Sequence, residues 1–266
     1  MLNSHDDVYQ NHLLAALSTS ELRSLTPHLR PVQLKCGQLL SDAGQPIKVV
    51  YFPTTAVISL LCLMKDGASV EVAAVGREGV AGVPVLTGGN AMPSRIEVSS
   101  SGHGFAMNAQ QFKLEFERSP SINRLMLLYI QALMTQIAQS ALCNRRHSVD
   151  EQLCRWLLLA HDRMQADDLI TTQQMIAYTL GVRREGVTEA AGKLEAAGLI
   201  QRGRGHITVL DREGLKRRTC DCYGIIKGEF QRLLPRQPEP THQSTCVTSR
   251  VVVPIATANH QQMHAM

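Results

Sequence analysis

Residues 169–209 read LITTQQMIAYTLGVRREGVTEAAGKLEAAGLIQRGRGHITV and contain the strongest structural pattern in the chain. Thr171 and Gln174 have the spacing of a capping box, which predicts that a short helix begins after Thr171. Gly181 ends that helix, because glycine adopts a positive φ at little energetic cost. A second helix is expected from about Arg184 to Ala197. Two short helices joined by a tight turn are typical of a helix-turn-helix.

The second helix separates an apolar face from a polar face. Its apolar residues recur at intervals of three and four and are expected to be buried: Val187, Ala190, Ala191 and Leu194. Beyond it, Leu199 and Ile200 begin a strand, residues 202–205 form a flexible basic turn, and residues 206–209 alternate as a return strand. This hairpin makes the motif a winged helix-turn-helix. The alternative is an ordinary pair of helices with a solvated charged face, but the hairpin of glycine and arginine favours DNA binding.

The polar residues of this region are the candidate DNA contacts. They lie at the start of the first helix, on the polar face of the second and in the hairpin: Thr172, Arg183, Arg184, Glu185, Thr188, Glu189, Arg202, Arg204 and His206. An arginine can bind guanine O6 and N7 together, and a glutamate can accept a hydrogen bond from cytosine N4. Residues 202–218 also hold six basic residues against two acidic ones, which favours contact with phosphates.

Two segments of this region carry a resemblance to a known family: Gly181-Val182-Arg183-Arg184-Glu185-x-Val187 and Leu194-Glu195-x-x-Gly198-Leu199-Ile200. They resemble the C-terminal domain of the Crp/Fnr family of bacterial transcription regulators, and a weaker resemblance extends over residues 10–225. The resemblance implies a homodimer that reads inverted-repeat DNA sites, with RNA polymerase as a further partner. It also implies that Arg184 and Glu185 read bases. Family members often carry an arginine where this chain has Glu189, so we expect a different half-site.

The fold class that the resemblance implies is α+β. Residues 1–118 would form a cyclic-nucleotide-binding-like jelly roll, residues 119–147 a dimerisation helix, and residues 148–234 the winged helix-turn-helix domain. From the pattern alone, short apolar runs between turns over residues 32–112 predict a small all-β domain. Residues 235–266 are rich in polar residues and proline, and we expect this tail to be disordered.

The resemblance also suggests an effector pocket in the β domain, at Gly76, Gly82 and Arg95. In the nucleotide-binding members, a glycine turn and an arginine hold the phosphate, while a glutamate holds the ribose. Here Val83 stands at the position of that glutamate, and Glu97 would place a negative charge near an anionic ligand. We therefore expect no cyclic nucleotide, and we assign no cofactor. A purely structural jelly roll and a different effector both remain open.

A long helix is predicted between the two domains, opened by Ser119 as N-cap and Pro120 as first helical residue. It carries two apolar stripes. The first has the spacing of a coiled-coil seam and is expected to meet a second chain: Leu127, Ile130, Met134, Ile137 and Ala141. The second is expected to meet the β domain: Ile122, Met126, Tyr129 and Leu133. A helix buried within one chain is the alternative, and the resemblance favours the homodimer. Residues 144–147 are the expected hinge to the next helix.

The seven cysteines are dispersed, which predicts free thiols rather than a disulfide framework. Cys220 and Cys222 fall within a helix expected over residues 210–234. We expect them to be packing thiols, because the pair has no partnering Cys/His cluster nearby in the sequence. We therefore assign no metal, and a redox-active or metal-binding pair is the alternative.

Other classes of protein are disfavoured by what the 266 residues lack. There is no apolar run of eighteen residues and no signal-peptide pattern, so we expect a cytoplasmic protein that does not enter a membrane. No Ser/His/Asp order, HExxH motif or P-loop indicates an enzyme. The remaining alternative is a sensor module that acts through protein contacts without reading DNA. Such a module would have no use for Arg202, Arg204 and His206 beside a recognition helix.

Overall fold

The computed structural model describes residues 8–65, 69–164 and 166–235. The predictions for the extreme N-terminus and for the tail beyond residue 235 concern residues outside these ranges.

The N-terminal part is a sandwich of two antiparallel sheets. Its elements are α1 (His12–Ala15), α2 (Thr19–Leu25), β1 (Arg30–Leu34), β2 (Leu39–Ser41), β3 (Val49–Pro53), β4 (Val57–Leu63), β5 (Ser69–Val75), β6 (Arg95–Ser100), β7 (Gly102–Asn108) and α3 (Ala109–Arg118). The strand orders are β1-β7-β3 and β2-β6-β4-β5. Phe52 and Met107 from the first sheet share one buried cluster with Ile58 and Val98 from the second. The predicted all-β domain is thus confirmed.

The long helix α4 (Pro120–Arg146) follows directly, and the Ser119 side chain accepts a hydrogen bond from the amide of Ile122. Its second stripe is buried against the β domain as predicted: Ile122, Met126, Tyr129 and Leu133. The Tyr129 hydroxyl donates to the carbonyl of Val80 at 3.0 Å, which ties the helix to the loop after β5. Within the first stripe, Leu127 and Met134 remain exposed, whereas Ile137 packs partly against the core of its own chain.

The C-terminal part has a second, separate core. Its elements are α5 (Val149–Met164), β8 (Asp168–Ile170), α6 (Gln173–Leu180), α7 (Arg184–Ala196), β9 (Ile200–Gly203), β10 (His206–Val209), α8 (Arg212–Arg218) and α9 (Asp221–Leu233). The four residues predicted to be the apolar face of the second helix are all buried: Val187, Ala190, Ala191 and Leu194. The helix-turn-helix and its hairpin are therefore present, and the second helix buries the face that was predicted to be apolar.

The start of the first motif helix differs from the prediction by one residue. The N-cap is Thr172, whose side chain accepts from the amide of Met175, so the capping box predicted for Thr171 and Gln174 was wrong. Thr171 is instead buried, and its amide donates to the carbonyl of Gly205 at 3.0 Å. The residues just before Thr171 form β8, an additional strand that pairs with β10 and makes the wing a three-stranded sheet.

Two other boundaries also differ. The helix expected over residues 210–234 is two helices, α8 and α9, because the chain turns at Thr219 and Cys220. α9 then packs along α4, where Phe230 meets Tyr129 edge-on at 6.4 Å between ring centroids. The expected hinge at residues 144–147 is shorter than predicted, since α4 continues to Arg146 and α5 begins at Val149. Ser148 and Glu151 cap α5 reciprocally.

By length and composition, α4 is the one helix among the described residues that is apolar enough to cross a membrane. A core helix of a globular domain passes the same test. In this chain the helix packs against the β sandwich, against α3 and against α9. The absence of a membrane span remains a prediction.

Candidate nucleic-acid interface

The recognition helix of the motif, α7, presents its polar face to solvent. Gly181 takes a left-handed conformation (φ 66°) and ends α6, so that α7 can begin at Arg184 three residues later. Arg183 is the N-cap residue and is exposed, as are Arg184 and Glu185 in the first turn. Thr188 lies on the same exposed face, and its hydroxyl donates to Gln173 of α6 at 2.7 Å. The two helices are thereby fixed to each other beside the candidate base-reading residues.

A cleft of about 400 Å³ lies between the recognition helix, the start of α6 and the wing. Six of the polar residues that line it come from these three elements: Thr172, Gln173, Gln174, Arg184, Arg202 and His206. The structure therefore brings four of the nine predicted DNA-contact residues together around this cleft: Thr172, Arg184, Arg202 and His206. The amino end of α6 also opens here, and free amides at a helix start favour a phosphate.

The wing ends in a turn at Arg204 and Gly205, and Gly205 has a φ of 83°. A Cβ atom at Gly203 would lie 2.0 Å from the His206 ring, so glycine at this position lets the imidazole lie across the hairpin. Arg204 is exposed at the tip. This arrangement places a cation and a histidine beside the cleft.

The prediction that Arg202 belongs to a flexible turn was wrong. The residue lies in β9, where its Nε and Nη2 bind Glu195 of α7 at 2.8 and 2.5 Å. The backbone amide of Arg202 donates to the same carboxylate, and these hydrogen bonds lower the pKa of Glu195. The ion pair joins the wing to the recognition helix, so Arg202 positions the wing in addition to any contact with phosphate.

Glu189 also has a partner that the sequence interpretation did not assign. Its carboxylate lies 2.9 Å from the Lys193 ammonium one turn later, and that ammonium lies 3.2 Å from Asp150 of α5. The pair is exposed, so it adds little stability. The positive charge of Lys193 does, however, reduce the electrostatic repulsion between Glu189 and a nearby phosphate.

The three predicted effector-pocket residues have different neighbours. Gly76 lies against Arg163, Gly82 lies against Val50, and Arg95 forms an ion pair with Asp42 at 3.1 Å. In β6, Arg95 and Glu97 alternate with buried residues and lie on the strand's outer face. The phosphate arginine implied by the resemblance thus already has a carboxylate partner.

A small, mostly apolar cavity of about 70 Å³ lies between the β sandwich and α5. Arg163, which lines it, donates to Glu78 at 2.8 Å and to Gln136 at 2.7 Å. Glu71 also lines it, and burial raises the pKa of that carboxyl. Pockets that bind ligands of nucleotide size measure roughly 300–1,000 Å³, so this cavity has no room for one.

The structure overturns one premise of the prediction for the cysteines. Cys220 and Cys222 do have Cys/His partners: the donor atoms of Cys143, His147, Cys220 and Cys222 all lie within 4.8 Å of one another. The sequence does not show that the two pairs meet, because they are more than seventy residues apart and come together only when α9 packs along α4. The spacing of Cys143 and His147, one helical turn apart, was the available signal.

Comparison with known proteins matches residues 151–218 to the Crp-like helix-turn-helix domain family. FixK2 from Bradyrhizobium japonicum has a similar structure at 17% identity, with a TM-score of 0.63 over 72% of this chain and 98% of that chain. The c-di-GMP responsive global regulator CLP from Xanthomonas campestris is 14% identical, with a TM-score of 0.58 over 72% and 99% of the two chains. A CRP/FNR family transcriptional regulator from Thermus thermophilus is 19% identical, with a TM-score of 0.58 over 71% and 97%. Among curated protein sequences, none matches this chain. The predicted fold class is confirmed.

Proposed function

We propose that this chain is a DNA-binding regulator of the Crp/Fnr type that acts as a homodimer and reads an inverted-repeat DNA site. The observation that carries the proposal is the cleft in which the start of α6, the recognition helix and the wing meet. The family and the similar structures are transcription regulators rather than enzymes, in agreement with the sequence prediction.

Base reading is assigned to the first turn of the recognition helix. In helix-turn-helix proteins the amino-terminal residues of this helix contact base edges in the major groove. Arg184 and Glu185 are the exposed residues there, and they suit a guanine and a cytosine respectively. Arg204 and Thr172 flank them, at the wing tip and the start of α6, where they would contact the DNA backbone.

The homodimer is proposed on the exposed stripe of α4. Leu127 is 53% exposed and Met134 is 64% exposed, and they lie two turns apart on one face. Large apolar side chains in such a row favour a second apolar surface over water. Two copies related by a twofold axis would present two recognition helices to half-sites about 34 Å apart.

The experiment uses a DNA duplex that has been selected for binding to the protein (the selected duplex) and a second duplex with the same bases in scrambled order. The protein is titrated on both duplexes at several salt concentrations. Arg184→Ala should lower affinity for the selected duplex by about 1–3 kcal/mol and leave binding to the scrambled duplex nearly unchanged. Arg204→Ala should weaken both duplexes alike and reduce the salt slope by about one unit. Arg23→Ala, which removes an arginine of α2 far from the cleft in sequence and fold, is the matched control and should change neither quantity.

Equal losses on both duplexes for Arg184→Ala would assign this residue to the backbone and remove it from base reading. A chain that binds no DNA at any salt concentration would instead support the sensor that acts through protein contacts.

We further propose that DNA binding does not depend on a cyclic nucleotide. Arg95 is paired with Asp42, and Val83 replaces the ribose glutamate that the family resemblance implies. Calorimetry with cAMP should give a dissociation constant no tighter than about 1 mM, a binding free energy of about −4 kcal/mol. A low-micromolar constant with one site per chain would contradict this. RNA polymerase as a partner and a cytoplasmic location follow from the proposed role.

A further inference from the structure

A cluster of three cysteines and one histidine lies where α4 ends and α9 begins. Cys143 is in the last turn of α4 and His147 is its C-cap, while Cys220 is the N-cap of α9 and Cys222 lies in its first turn. The Cys143 and Cys220 sulfurs are 3.5 Å apart, and the Cys222 sulfur is 3.6 Å from His147 Nδ1. The three cysteines are buried.

These distances are those of ligands around one small metal ion. With zinc–sulfur bonds of about 2.3 Å and zinc–nitrogen bonds of about 2.0 Å, tetrahedral ligands lie about 3.5–3.8 Å from each other. The Cys143–Cys220 and Cys222–His147 separations of 3.5 and 3.6 Å match that geometry, and no two of the four donor atoms are more than 4.8 Å apart. The 3.5 Å separation of Cys143 and Cys220 is also far longer than the bond of a disulfide.

The cysteines do not behave as ordinary packing residues. The three form a cluster of their own, separate from the apolar core of the β sandwich and from that of the DNA-binding domain. Sulfurs that served only to fill space would be expected within one of those cores. Here they converge on each other, and an imidazole nitrogen of His147 completes the group.

The surroundings supply what a metal site with three thiolates needs. Three thiolates, a neutral imidazole and a divalent ion have a net charge of −1, and Arg155 of α5 is a buried cation beside them. The Nε of Arg155 has no hydrogen-bond partner among the described residues. Gln152 donates to the carbonyl of His147 at 2.9 Å and so holds the histidine backbone in place.

We propose that Cys143, His147, Cys220 and Cys222 bind one structural zinc ion per chain. Four protein ligands leave no open coordination position, which is the arrangement of a structural rather than a catalytic zinc site. The ion would join the end of α4 to the start of α9, at the two-residue link that leads into the DNA-binding domain. This proposal is independent of which DNA site the protein reads.

The test uses the full chain, purified under reducing conditions, stripped with a chelator and then titrated with Zn²⁺ or Co²⁺. Elemental analysis should find one zinc per chain after gel filtration. The cobalt form should show thiolate-to-cobalt charge transfer and the intense d–d bands of a tetrahedral site. A thiol reagent should modify three fewer cysteines in the zinc form than in the stripped form, and removal of zinc should lower the midpoint of thermal unfolding.

Variants separate this site from the other thiols. Cys220→Ser and Cys222→Ser should lose the bound metal, whereas Cys154→Ser should keep it. Cys154 is the matched control because it is also a buried free cysteine, on α5, but is not among the four donors. His147→Cys should retain one metal with an altered cobalt spectrum, since it substitutes one ligand for another.

Three results would overturn the proposal. They are a folded wild-type chain that takes up no zinc, a full equivalent of metal in Cys220→Ser, and a Cys143–Cys220 disulfide in protein isolated under reducing conditions. If the serine variants do not fold, the cobalt spectrum of the wild-type chain and the His147→Cys variant decide the question.

Discussion

The exposed stripe on α4 gives the sharpest prediction about assembly. Leu127→Asp combined with Met134→Asp should convert the proposed homodimer to a monomer without harming the fold. Both side chains are more than half exposed, so they contribute little to the core of their own chain. Ile137 is a poorer choice for this test, because it packs partly against that core and a carboxylate there would also disturb folding.

The magnitude follows from the exposed fractions. Burying a whole leucine or methionine side chain contributes about 1.5–3 kcal/mol. Leu127 and Met134 have 53% and 64% of their surface still to bury, and each occurs twice in a dimer. The four side chains therefore contribute about 4–7 kcal/mol to association, which corresponds to about three to five powers of ten in dissociation constant. Introducing a carboxylate into an apolar contact adds to that loss.

The assay is sedimentation velocity over a range of micromolar concentrations, with circular dichroism to verify the fold. Leu114→Asp is the matched control, because Leu114 is 48% exposed but lies on α3, away from the stripe. The wild type and this control should sediment as dimers and the double variant as a monomer. Dimers of the double variant at low micromolar concentration would refute the reasoning, and another surface would have to form the interface.

Three further predictions concern single side chains. Thr172→Ala should lower the free energy of unfolding by about 0.5–2 kcal/mol in urea titrations, because it removes the N-cap of α6, and Thr172→Ser should not. Gly203→Ala should displace the His206 ring and weaken DNA binding. Gly192→Ala is the control and should leave the affinity unchanged, because the space around Gly192 is open. Equal DNA affinities of the two variants would contradict the wing geometry. Burial raises the pKa of Asp162, but the hydrogen bond from Arg212 and the charges of Lys227 and Arg212 outweigh burial and lower that pKa overall. The stability that this carboxylate contributes is therefore present above about pH 4, the ordinary pKa of an aspartate. It is lost as the pH falls through the pKa of Asp162 in the folded state. Acid titrations in which Asp162→Asn unfolds with the same pH dependence as the wild type would argue against this contribution.

The sequence predicted what depends on local periodicity. The buried face of α7 and the β-domain stripe of α4 were both correct, because spacings of three and four select residues on one side of a helix. The end of α6 was also correct, since Gly181 supplies the left-handed conformation that few other residues adopt readily.

What the sequence did not predict depends on contacts that only the folded chain creates. Thr171 and Thr172 are both acceptable N-caps, and the choice is made by the pairing of Thr171 with the wing. Arg202 was interpreted as a free cation, because nothing local indicates that Glu195 lies beside it. The cysteine cluster was missed for the same reason, since its two pairs converge only through the packing of two helices. In each case a contact between two different elements of the fold replaced a local preference.

The third strand of the wing sheet has a consequence for how new DNA specificities can arise. β8 precedes the helix-turn-helix and β10 follows it, and the two strands are paired, with Asp168 opposite Thr208. The Thr208 hydroxyl donates to the Asp168 carboxylate at 2.6 Å, so the two ends of the segment 168–209 lie side by side. A segment whose ends are adjacent can be exchanged without changing the distance that the rest of the chain must span. Exchange of segment 168–209 between related regulators would therefore leave the chain path intact, and the requirement on the new segment is that its buried face fit α5, with which it shares one core.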